Sequence, residues 1–308
     1  MDLSVVIAVY NEENNINILY ERLSKVVKKL NLSYEFIFIN DKSIDKSLEK
    51  IKKLSKDDNA VIYIDFSRNF GHQIALTAGL DYAKGDKIVI IDADLQDPPE
   101  LIEDMYKKMG QGYNVVYAKR KTRKGDSFIK KFTAKMFYRL LSKVSSVDIP
   151  LDAGDFRIID RKIADVLKQM NEQNKYIRGQ IAWAGFKQGY IEYDRNERNT
   201  GKTGYSYKKM IRFALDGITS FSDAPLKFAT FLGFTVVIIV FLIMLYALYS
   251  RFILHNYVQG WTSTILTVLF LGGVQLISIG IIGEYISRIA ANVRKRPMYI
   301  VNETNTEK

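Results

Sequence analysis

The stretch Ile88-Val-Ile-Ile-Asp92-Ala-Asp94-Leu-Gln96-Asp-Pro-Pro-Glu100 decides the fold of this chain. Its apolar start is typical of a buried strand, and Pro-Pro-Glu is typical of the start of a helix. Asp92 and Asp94 lie between them, at the carboxyl end of the strand. Mg²⁺ and Mn²⁺ prefer oxygen ligands and bridge carboxylates to phosphates. We therefore predict a divalent metal at Asp92 and Asp94, with the amide oxygen of Gln96 as a further ligand. The alternative is a solvated turn.

Strands and helices alternate around this stretch in residues 1–120. Strands are predicted at Leu3–Val9, Tyr34–Asn40, Val61–Phe66, Lys87–Ile91 and Asn114–Ala118. Helices are predicted near 12–30, with Asn11 as the cap, and near 45–56, 72–83 and 99–110. Strands joined by crossover helices form an α/β fold with a mainly parallel sheet. Ligands of such sheets bind beyond the carboxyl ends of the strands.

Two later runs, 228–249 and 261–283, contain no charged side chain. Each is longer than the ~20 residues that cross a bilayer. A pair of buried core helices is the alternative, although such helices are rarely apolar on every face. Basic residues flank the outer ends of the pair, and the positive-inside rule then places both termini in the cytoplasm. No cleavable signal peptide is expected, because the first residues read as a strand.

The composition narrows the possible partners and chemistry. The net charge of +11 suits nucleic acid, an anionic membrane or phosphorylated substrates. Basic residues cluster at 119–143, 195–212 and 288–296, and two of these clusters adjoin apolar segments, which favours a membrane and argues against nucleic acid. The lack of Cys excludes disulfides and a cysteine nucleophile, and two histidines exclude a multi-histidine metal site within one chain.

Four segments together resemble the family 2 inverting glycosyltransferases: Val5–Glu12, Asn40–Ser43, Arg68–Gly71 and Asp92–Glu100. Ala153–Arg157, the Gly-Lys-Thr-Gly-Tyr stretch at 201–205 and the two apolar runs also match, so the resemblance covers nearly the whole chain. The branch that it resembles contains the polyprenyl-phosphate glycosyltransferases, such as bacterial undecaprenyl-phosphate glucosyltransferases and dolichol-phosphate mannose synthases. The motif set is specific for the family and much less specific for the sugar.

The resemblance implies a GT-A nucleotide-sugar transferase domain that moves a sugar, with inversion, onto polyprenyl (undecaprenyl) phosphate. The reaction is expected at the cytoplasmic face of the cell inner membrane, with the product used for cell wall or lipopolysaccharide glycan modification. UDP-glucose is the first donor expectation, and GDP-mannose and UDP-N-acetylglucosamine remain open. A homo-oligomer is also implied. A polysaccharide synthase is disfavoured because no Gln-x-x-Arg-Trp motif occurs, and a non-catalytic nucleotide-binding scaffold is disfavoured by the intact aspartates.

The resemblance also assigns site residues. The nucleotide is expected to be surrounded by Ala8, Tyr10, Glu12, Asp41 and Asp92. Asn40 departs from the pair of acids that the family usually carries there, and helix capping is the alternative role for Asp41. Asp155 is expected to act near the acceptor oxygen as a base or a positioning group, and Asp94 to serve catalysis through the metal. The alternative for Asp155 is a cap on the helix that begins at Arg161, for which Asp160 is better placed.

Basic residues in this scheme grip phosphates, because guanidinium groups bind them bidentately. The candidates are Arg120, Arg123, Arg139, Arg195, Arg198 and Lys202, the last in a glycine-flanked loop that is expected to fold over the donor. The alternative is a solvated basic loop. A basic amphipathic pattern at 127–143 predicts a helix in the lipid interface or one packed on the core, and a weaker pattern follows at 205–221.

These expectations divide the chain into four parts. A catalytic domain covers 1–204, a juxtamembrane amphipathic helix 205–225, two membrane spans 226–287, and a cytoplasmic basic tail 288–308. The residues from Asn302 onward are expected to be a disordered polar tail.

Overall fold

The computed structural model describes residues 1–120, 153–194, 224–253 and 260–307. The strands in these ranges are β1 (Leu3–Val9), β2 (Tyr34–Asn40), β3 (Val61–Phe66), β4 (Lys87–Asp92), β5 (Val115–Arg120), β6 (Ala153–Asp160), β7 (Gln188–Tyr193) and β8 (Val301–Thr304). The helices are α1 (Ile16–Leu30), α2 (Ser47–Asp57), α3 (His72–Tyr82), α4 (Leu101–Met109), α5 (Arg161–Gln169), α6 (Ile177–Trp183), α7 (Ala224–Phe252) and α8 (Trp261–Val293).

The strands form one mixed sheet in the order β7-β5-β6-β4-β1-β2-β3-β8. β1 pairs in parallel with β2 and β4, β2 with β3, and β5 with β7, whereas β6 and β8 run antiparallel to their neighbours. The prediction of a mainly parallel sheet is therefore confirmed. Because β1, β2, β3 and β4 run in the same direction, their carboxyl ends meet along one edge.

The central strands are buried on both faces because apolar residues fill both sides of the pleat. Val89 and Ile91 of β4 belong to the core that includes α1 and α4, and Ile88 and Ile90 belong to the core that includes α3 and α5. α3 packs especially close to the sheet at Gly79, where an added Cβ would lie 2.2 Å from Val6 Cγ1. This close contact fixes α3, whose first residue is His72, against the central strands.

The predicted start and cap of the first helix were wrong. The first helix begins at Ile16 and Asn11 does not cap it, because Asn11 has a left-handed backbone (φ 58°) and its Oδ1 accepts a hydrogen bond from the Ile44 N–H at 2.9 Å. Asn readily adopts this conformation because its short polar side chain bonds locally. The side chain therefore ties the loop after β1 to the loop after β2.

The C-terminal segment is also different from the prediction. The residues from Asn302 are not a disordered tail, because Val301–Thr304 form β8 and pair antiparallel with β3 at the edge of the sheet. β8 is short and polar, so its own sequence carries little strand signal. Its order comes from pairing with a strand more than 200 residues earlier in the chain.

α7 and α8 pack against each other and contain segments long and apolar enough to cross a membrane, Pro225–Ile243 and Phe270–Val293. Almost none of either segment is buried inside the protein. A core helix of this chain would be covered by the rest of the fold, and the described parts of these two segments are not.

Candidate active site

The two aspartates of the deciding stretch lie at the carboxyl end of β4. Asp92 is the last residue of this strand and lies opposite Ala8 of β1. Asp94 accepts a hydrogen bond from the Gln96 N–H at 3.1 Å in a turn whose middle residue, Leu95, has φ 59°. The structure therefore brings Asp92, Asp94 and Gln96 together in one tight turn at the edge where the parallel strands end.

Asp92 carries an incompletely satisfied carboxylate. Its Oδ1 is buried and receives no hydrogen bond from the described residues, although His72 Nε2 lies 3.5 Å away. Burial raises the pKa of Asp92 to about 6, His72 opposes this rise, and the negative charges of Asp155, Asp97 and Asp94 add to it. A cation bound here would relieve both the desolvation and the repulsion between these carboxylates.

His72 lies between two of these acids. Its Nε2 is 3.1 Å from Asp155 Oδ2 and 3.5 Å from Asp92 Oδ1. Burial alone would lower the pKa of His72, but Asp92 and Asp155 outweigh it and raise this pKa to about 9. The imidazole is therefore protonated at neutral pH. Sequence reasoning missed this residue, and its position directly after the Arg68–Gly71 motif was the signal that could have found it.

Asp155 lies inside β6, so the alternative of a helix cap is contradicted. Its Oδ2 is 3.1 Å from His72 Nε2 and 3.4 Å from Gln73 Nε2, and its Oδ1 is 3.0 Å from Arg178 Nε. Burial would raise the pKa of Asp155, but Arg178 and His72 hold it well below the usual range. Asp155 is thus a fixed anion, and Gln73 and Arg178 are site residues that the sequence analysis missed.

Asp160 precedes α5 but does not cap it with its side chain, contrary to the expectation. Its carboxylate instead accepts a hydrogen bond from Asn114 Nδ2 at 2.8 Å and pairs with Lys87. These contacts join the start of β4 and the residue before β5 to the end of β6. Asp160 therefore stabilises the sheet at the edge opposite the candidate site.

A second cluster lies next to the aspartates and includes Arg120, the last residue of β5. Arg120 Nε donates to the Tyr193 hydroxyl at 3.4 Å, and that hydroxyl donates to Oδ1 of buried Asp97. Gly154 leaves room for the guanidinium, because an added Cβ would lie 3.2 Å from Arg120 Nη2. The structure thus places Arg120 at the candidate site, and Asp97 and Tyr193 are partners that the sequence analysis did not identify.

Arg157 shapes the backbone that carries Asp155. Its buried guanidinium donates to the Gly154 carbonyl at 2.7 Å and to the Asp155 carbonyl at 3.2 Å. Burial lowers the pKa of Arg157 to about 10, so the side chain stays charged at neutral pH. These two bonds fix the backbone of Gly154 and Asp155 and thereby the position of the Asp155 side chain.

The residues expected around the nucleotide follow β1 and β2. Tyr10 is exposed directly after β1, and Glu12 accepts a hydrogen bond from Asn15 Nδ2 at 2.6 Å. Buried Asp41 accepts hydrogen bonds from the Phe70 and Gly71 N–H groups at 2.7 and 2.9 Å. The alternative role of Asp41, capping of α2, is therefore wrong. Asp41 holds the segment that leads into His72, and burial raises its pKa despite these two bonds.

Several candidates lie outside the described residues. These are Arg123, Arg139, Arg195, Arg198 and Lys202, together with the amphipathic pattern at 127–143 and nearly all of the predicted juxtamembrane helix at 205–225.

A mixed, mostly parallel sheet with carboxylates gathered at its strand ends is the GT-A-like arrangement of a nucleotide-sugar transferase. The model described as glycosyl transferase family 2 matches residues 4–167. This chain belongs to glycosyl transferase family 2.

Full-length relatives agree with this assignment. The chain is 50% identical over 301 residues to an uncharacterized glycosyltransferase of Bacillus subtilis (strain 168), YkcC, covering 98% of this chain and 93% of that protein. It is 40% identical over 301 residues to the prophage bactoprenol glucosyl transferase homolog of Escherichia coli (strain K12), covering 98% of each. A crystal structure of glucosyl-3-phosphoglycerate synthase from Mycobacterium tuberculosis with Mn²⁺, UDP-glucose and phosphoglyceric acid is 17% identical, with a TM-score of 0.47, covering 71% of this chain and 77% of that chain.

Proposed function

We propose that this protein transfers a sugar, with inversion, from a nucleotide sugar to polyprenyl phosphate at the cytoplasmic face of the cell inner membrane. The observation that carries the proposal is the 40% identity to a bactoprenol glucosyl transferase homolog over 98% of both chains, which includes the two apolar helices. The name of that relative also favours glucose as the sugar, and UDP-glucose is the proposed donor.

The acidic turn after β4 supports a role for Mg²⁺ or Mn²⁺ as cofactor. The buried Oδ1 of Asp92, which accepts no hydrogen bond from the described residues, and the raised pKa of this residue suit a carboxylate that binds a cation. Asp92 and Asp94 would hold the ion together with Gln96 and phosphate oxygens of the substrate, because Mg²⁺ is usually bound through one or two carboxylates and substrate phosphates. When bound, such an ion would stabilise the negative charge that develops on the departing nucleotide diphosphate.

Asp155 is proposed to position the reacting groups without removing a proton. Both of its oxygens are engaged, by His72 and Gln73 on one side and by Arg178 on the other, and its lowered pKa makes it a weak base. A phosphomonoester has a second pKa of about 6, so a polyprenyl phosphate is already anionic at neutral pH. A strong base is therefore unnecessary. Asp155 instead holds the positively charged side chains of His72 and Arg178 beside the acceptor.

In the proposed reaction an oxygen of polyprenyl phosphate attacks the anomeric carbon from the face opposite the nucleotide. The bond from this carbon to the diphosphate oxygen breaks, its electron pair leaves with UDP, and the configuration inverts. Arg120, which is held by Tyr193 near Asp97, would bind the diphosphate, and Ala8, Tyr10, Glu12 and Asp41 would surround the nucleoside. Arg123, Arg139, Arg195, Arg198 and Lys202 complete the proposed set of phosphate ligands.

Membrane attachment is proposed to occur through α7 and α8 as a helical hairpin. The exposed apolar surfaces of both helices support this proposal. The pairing of β8 with β3 supports a topology in which the residues after α8 lie on the same side of the membrane as the sheet. With basic flanks such as Arg294 and Arg296, that side is the cytoplasm. The division of the chain into a catalytic domain, a juxtamembrane helix and two membrane spans, with the sheet of the domain completed by β8, and a homo-oligomeric state remain part of the proposal.

One experiment tests the reaction directly. Purified protein in nanodiscs is incubated with undecaprenyl phosphate, Mg²⁺ or Mn²⁺, and radiolabelled UDP-glucose, UDP-N-acetylglucosamine or GDP-mannose in separate reactions. We expect label from UDP-glucose in the organic phase. Label from GDP-mannose alone would contradict the donor assignment, and no lipid-linked label from any donor would contradict the function.

A matched pair of variants tests the role of the metal-binding carboxylate. Asp94→Ala is expected to abolish transfer without loss of folding, because the proposed ion loses a ligand. Asp104→Asn, which changes an exposed carboxylate on α4, is the control and should retain wild-type activity. Normal turnover by Asp94→Ala would refute the metal site.

A further inference from the structure

The chain returns to the sheet after its two long apolar helices. We define the C-terminal strap as residues 294–307, which contain β8. Val301 of the strap lies opposite Phe66 of β3, and Tyr299 stacks on Phe66 with ring centroids 5.3 Å apart. The Tyr299 hydroxyl also donates to Asp81 at the end of α3, at 2.7 Å. The strap is therefore packed against the same domain that carries the candidate active site.

The strap is also anchored where it leaves α8. The Gln173 N–H donates to Asn292 Oδ1 at 3.0 Å, and the Gln173 side-chain amide donates to the Arg296 carbonyl at 2.8 Å. Gln173 lies in the segment between α5 and α6, and α6 carries Arg178. Gln173 thus connects the catalytic domain to Asn292, near the end of the second apolar helix, and to Arg296, near the start of the strap.

Asn302 of the strap is itself exposed and begins a chain of hydrogen bonds that runs through two buried residues, Asp65 and Asn40. Its Nδ2 donates to Asp65 Oδ2 at 2.9 Å, and Asn40 Nδ2 donates to Asp65 Oδ1 at 2.7 Å. Asp65 and Asn40 are each 1% exposed. Because Asp65 accepts a hydrogen bond from the NH2 group of Asn40, it fixes the orientation of the Asn40 amide. The carbonyl oxygen of that amide then accepts from the Ser43 N–H at 3.3 Å.

The chain of bonds ends in the loops expected to surround the nucleotide. Ser43 Oγ accepts a hydrogen bond from the Asn11 N–H at 3.0 Å, which joins the loop after β2 to the loop after β1. Asn40 directly precedes Asp41, which holds the segment before His72. A change at Asn302 therefore reaches the donor side of the site through two buried side chains.

We propose that Asn302 is a positioning residue for the nucleotide sugar, acting through Asp65 and Asn40 on the loop at residues 41–45. Strand pairing alone does not require an amide aimed at a buried carboxylate, and buried polar groups are costly unless each is satisfied. The strap thereby links the shape of the donor pocket to the end of the second apolar helix. The identity of the ligand rests on the proposed function, whereas the conformation of the loop does not.

Two variants of the strap separate this role from simple strand docking. Asn302→Asp places a second carboxylate against Asp65 and removes the amide donor. The matched control is Asn305→Ala, because Asn305 bonds the backbone of Tyr63 and Val61 at 2.9 Å each, toward the opposite end of β3. We expect Asn302→Asp to raise the Kd for UDP with Mn²⁺ and the KM for the donor at least about fivefold, because one hydrogen bond is lost and a like charge is added, with kcat within about twofold. Asn305→Ala should change neither constant.

A reciprocal exchange of side chains provides a rescue. In the double variant Asp65→Asn with Asn302→Asp, residue 65 again accepts from Asn40 and now donates to residue 302. We expect the double variant to recover most of the affinity that Asn302→Asp loses. If Asn302→Asp does not fold, Asn302→Ala removes the same donor without an added charge and is expected to raise the same two constants.

Hydrogen exchange at the Ser43 amide gives a readout that needs no substrate. In nucleotide-free protein, Asn302→Asp should accelerate this exchange at least about tenfold, whereas Asn305→Ala should leave it unchanged. Unchanged exchange and affinity in Asn302→Asp, or equal effects in both variants, would overturn the proposal. If wild-type protein transferred no sugar, the proposed function would fail, and exchange at Ser43 would still decide the role of Asn302.

Discussion

His72 lies between Asp92 and Asp155 of the candidate site, and its ionisation can be measured. The pKa of about 9 arises because Asp155 lies 3.1 Å and Asp92 3.5 Å from Nε2. Since this folded-state pKa lies above the unfolded value of about 6.5, the ion pair of His72 with Asp155, whose pKa is lowered, stabilises the fold below pH 6.5. Asp92 has a pKa of about 6 and adds to this only where it is ionised. That stabilisation is lost as the pH rises through about 9. The informative perturbation is Asp92→Asn, which removes one of the two carboxylate charges and preserves the shape.

The size of the effect follows from the geometry. Two unit charges 3.5 Å apart interact by roughly 5 kcal/mol at an effective dielectric constant of 20. The His72 side chain is 42% exposed, so solvent screening reduces this interaction to about 1 kcal/mol. One pKa unit corresponds to about 1.4 kcal/mol, and we therefore expect Asp92→Asn to lower the pKa of His72 by about one unit. Asp155 keeps the remaining value above 6.5.

Histidine-labelled protein allows this titration to be followed by NMR, because the chain contains two histidines and His255→Gln assigns the second signal. Saturating Mg²⁺ should lower the pKa of His72 in the wild type as well, since the ion competes for Asp92, and should have no such effect in Asp92→Asn. A wild-type pKa near 6.5, or identical values in wild type and Asp92→Asn, would refute this electrostatic account.

Two further substitutions test the surroundings of the site. Arg178→Ala is expected to lower kcat about a hundredfold because Asp155 loses a charged partner, and Arg178→Lys should recover part of this loss. Steady-state kinetics with labelled donor measure both variants. A normal kcat in Arg178→Ala would contradict the role of Arg178 in holding Asp155. Tyr193→Phe removes the hydroxyl that binds Asp97 and should cost about 1 to 3 kcal/mol of folding stability, seen as a lower thermal midpoint in detergent; an unchanged midpoint would show that this bond does not stabilise the fold.

The sequence predicted the elements whose signals are local. Each of the strands β1 to β5 is a short apolar run, and the helices that follow them show their own periodicity, so their positions were confirmed within a few residues. The convergence of Asp92 and Asp94 followed from the rule that parallel strands end at one edge. The same rule placed Arg120 near the site.

Elements that depend on distant partners were not predictable in this way. β6 carries Asp155 into the sheet between β4 and β5, and β8 pairs with β3 across most of the chain. Neither pairing is encoded in the strand alone, because the partner supplies the hydrogen bonds. His72 and Arg178 were missed for a similar reason, since each becomes a site residue through its distance from Asp155, which the sequence does not give.

The most direct test of the account is isothermal titration of Mn²⁺ into purified protein with and without UDP, compared among wild type, Asp92→Asn, Asp94→Asn and the control Asp104→Asn. We predict one Mn²⁺ bound per chain, with affinity increased by UDP, in wild type and the control, and strongly weakened binding in both site variants. Equal Mn²⁺ binding in all four proteins, or UDP binding in the wild type that does not respond to Mn²⁺, would contradict the claim that these aspartates hold the ion at the departing diphosphate.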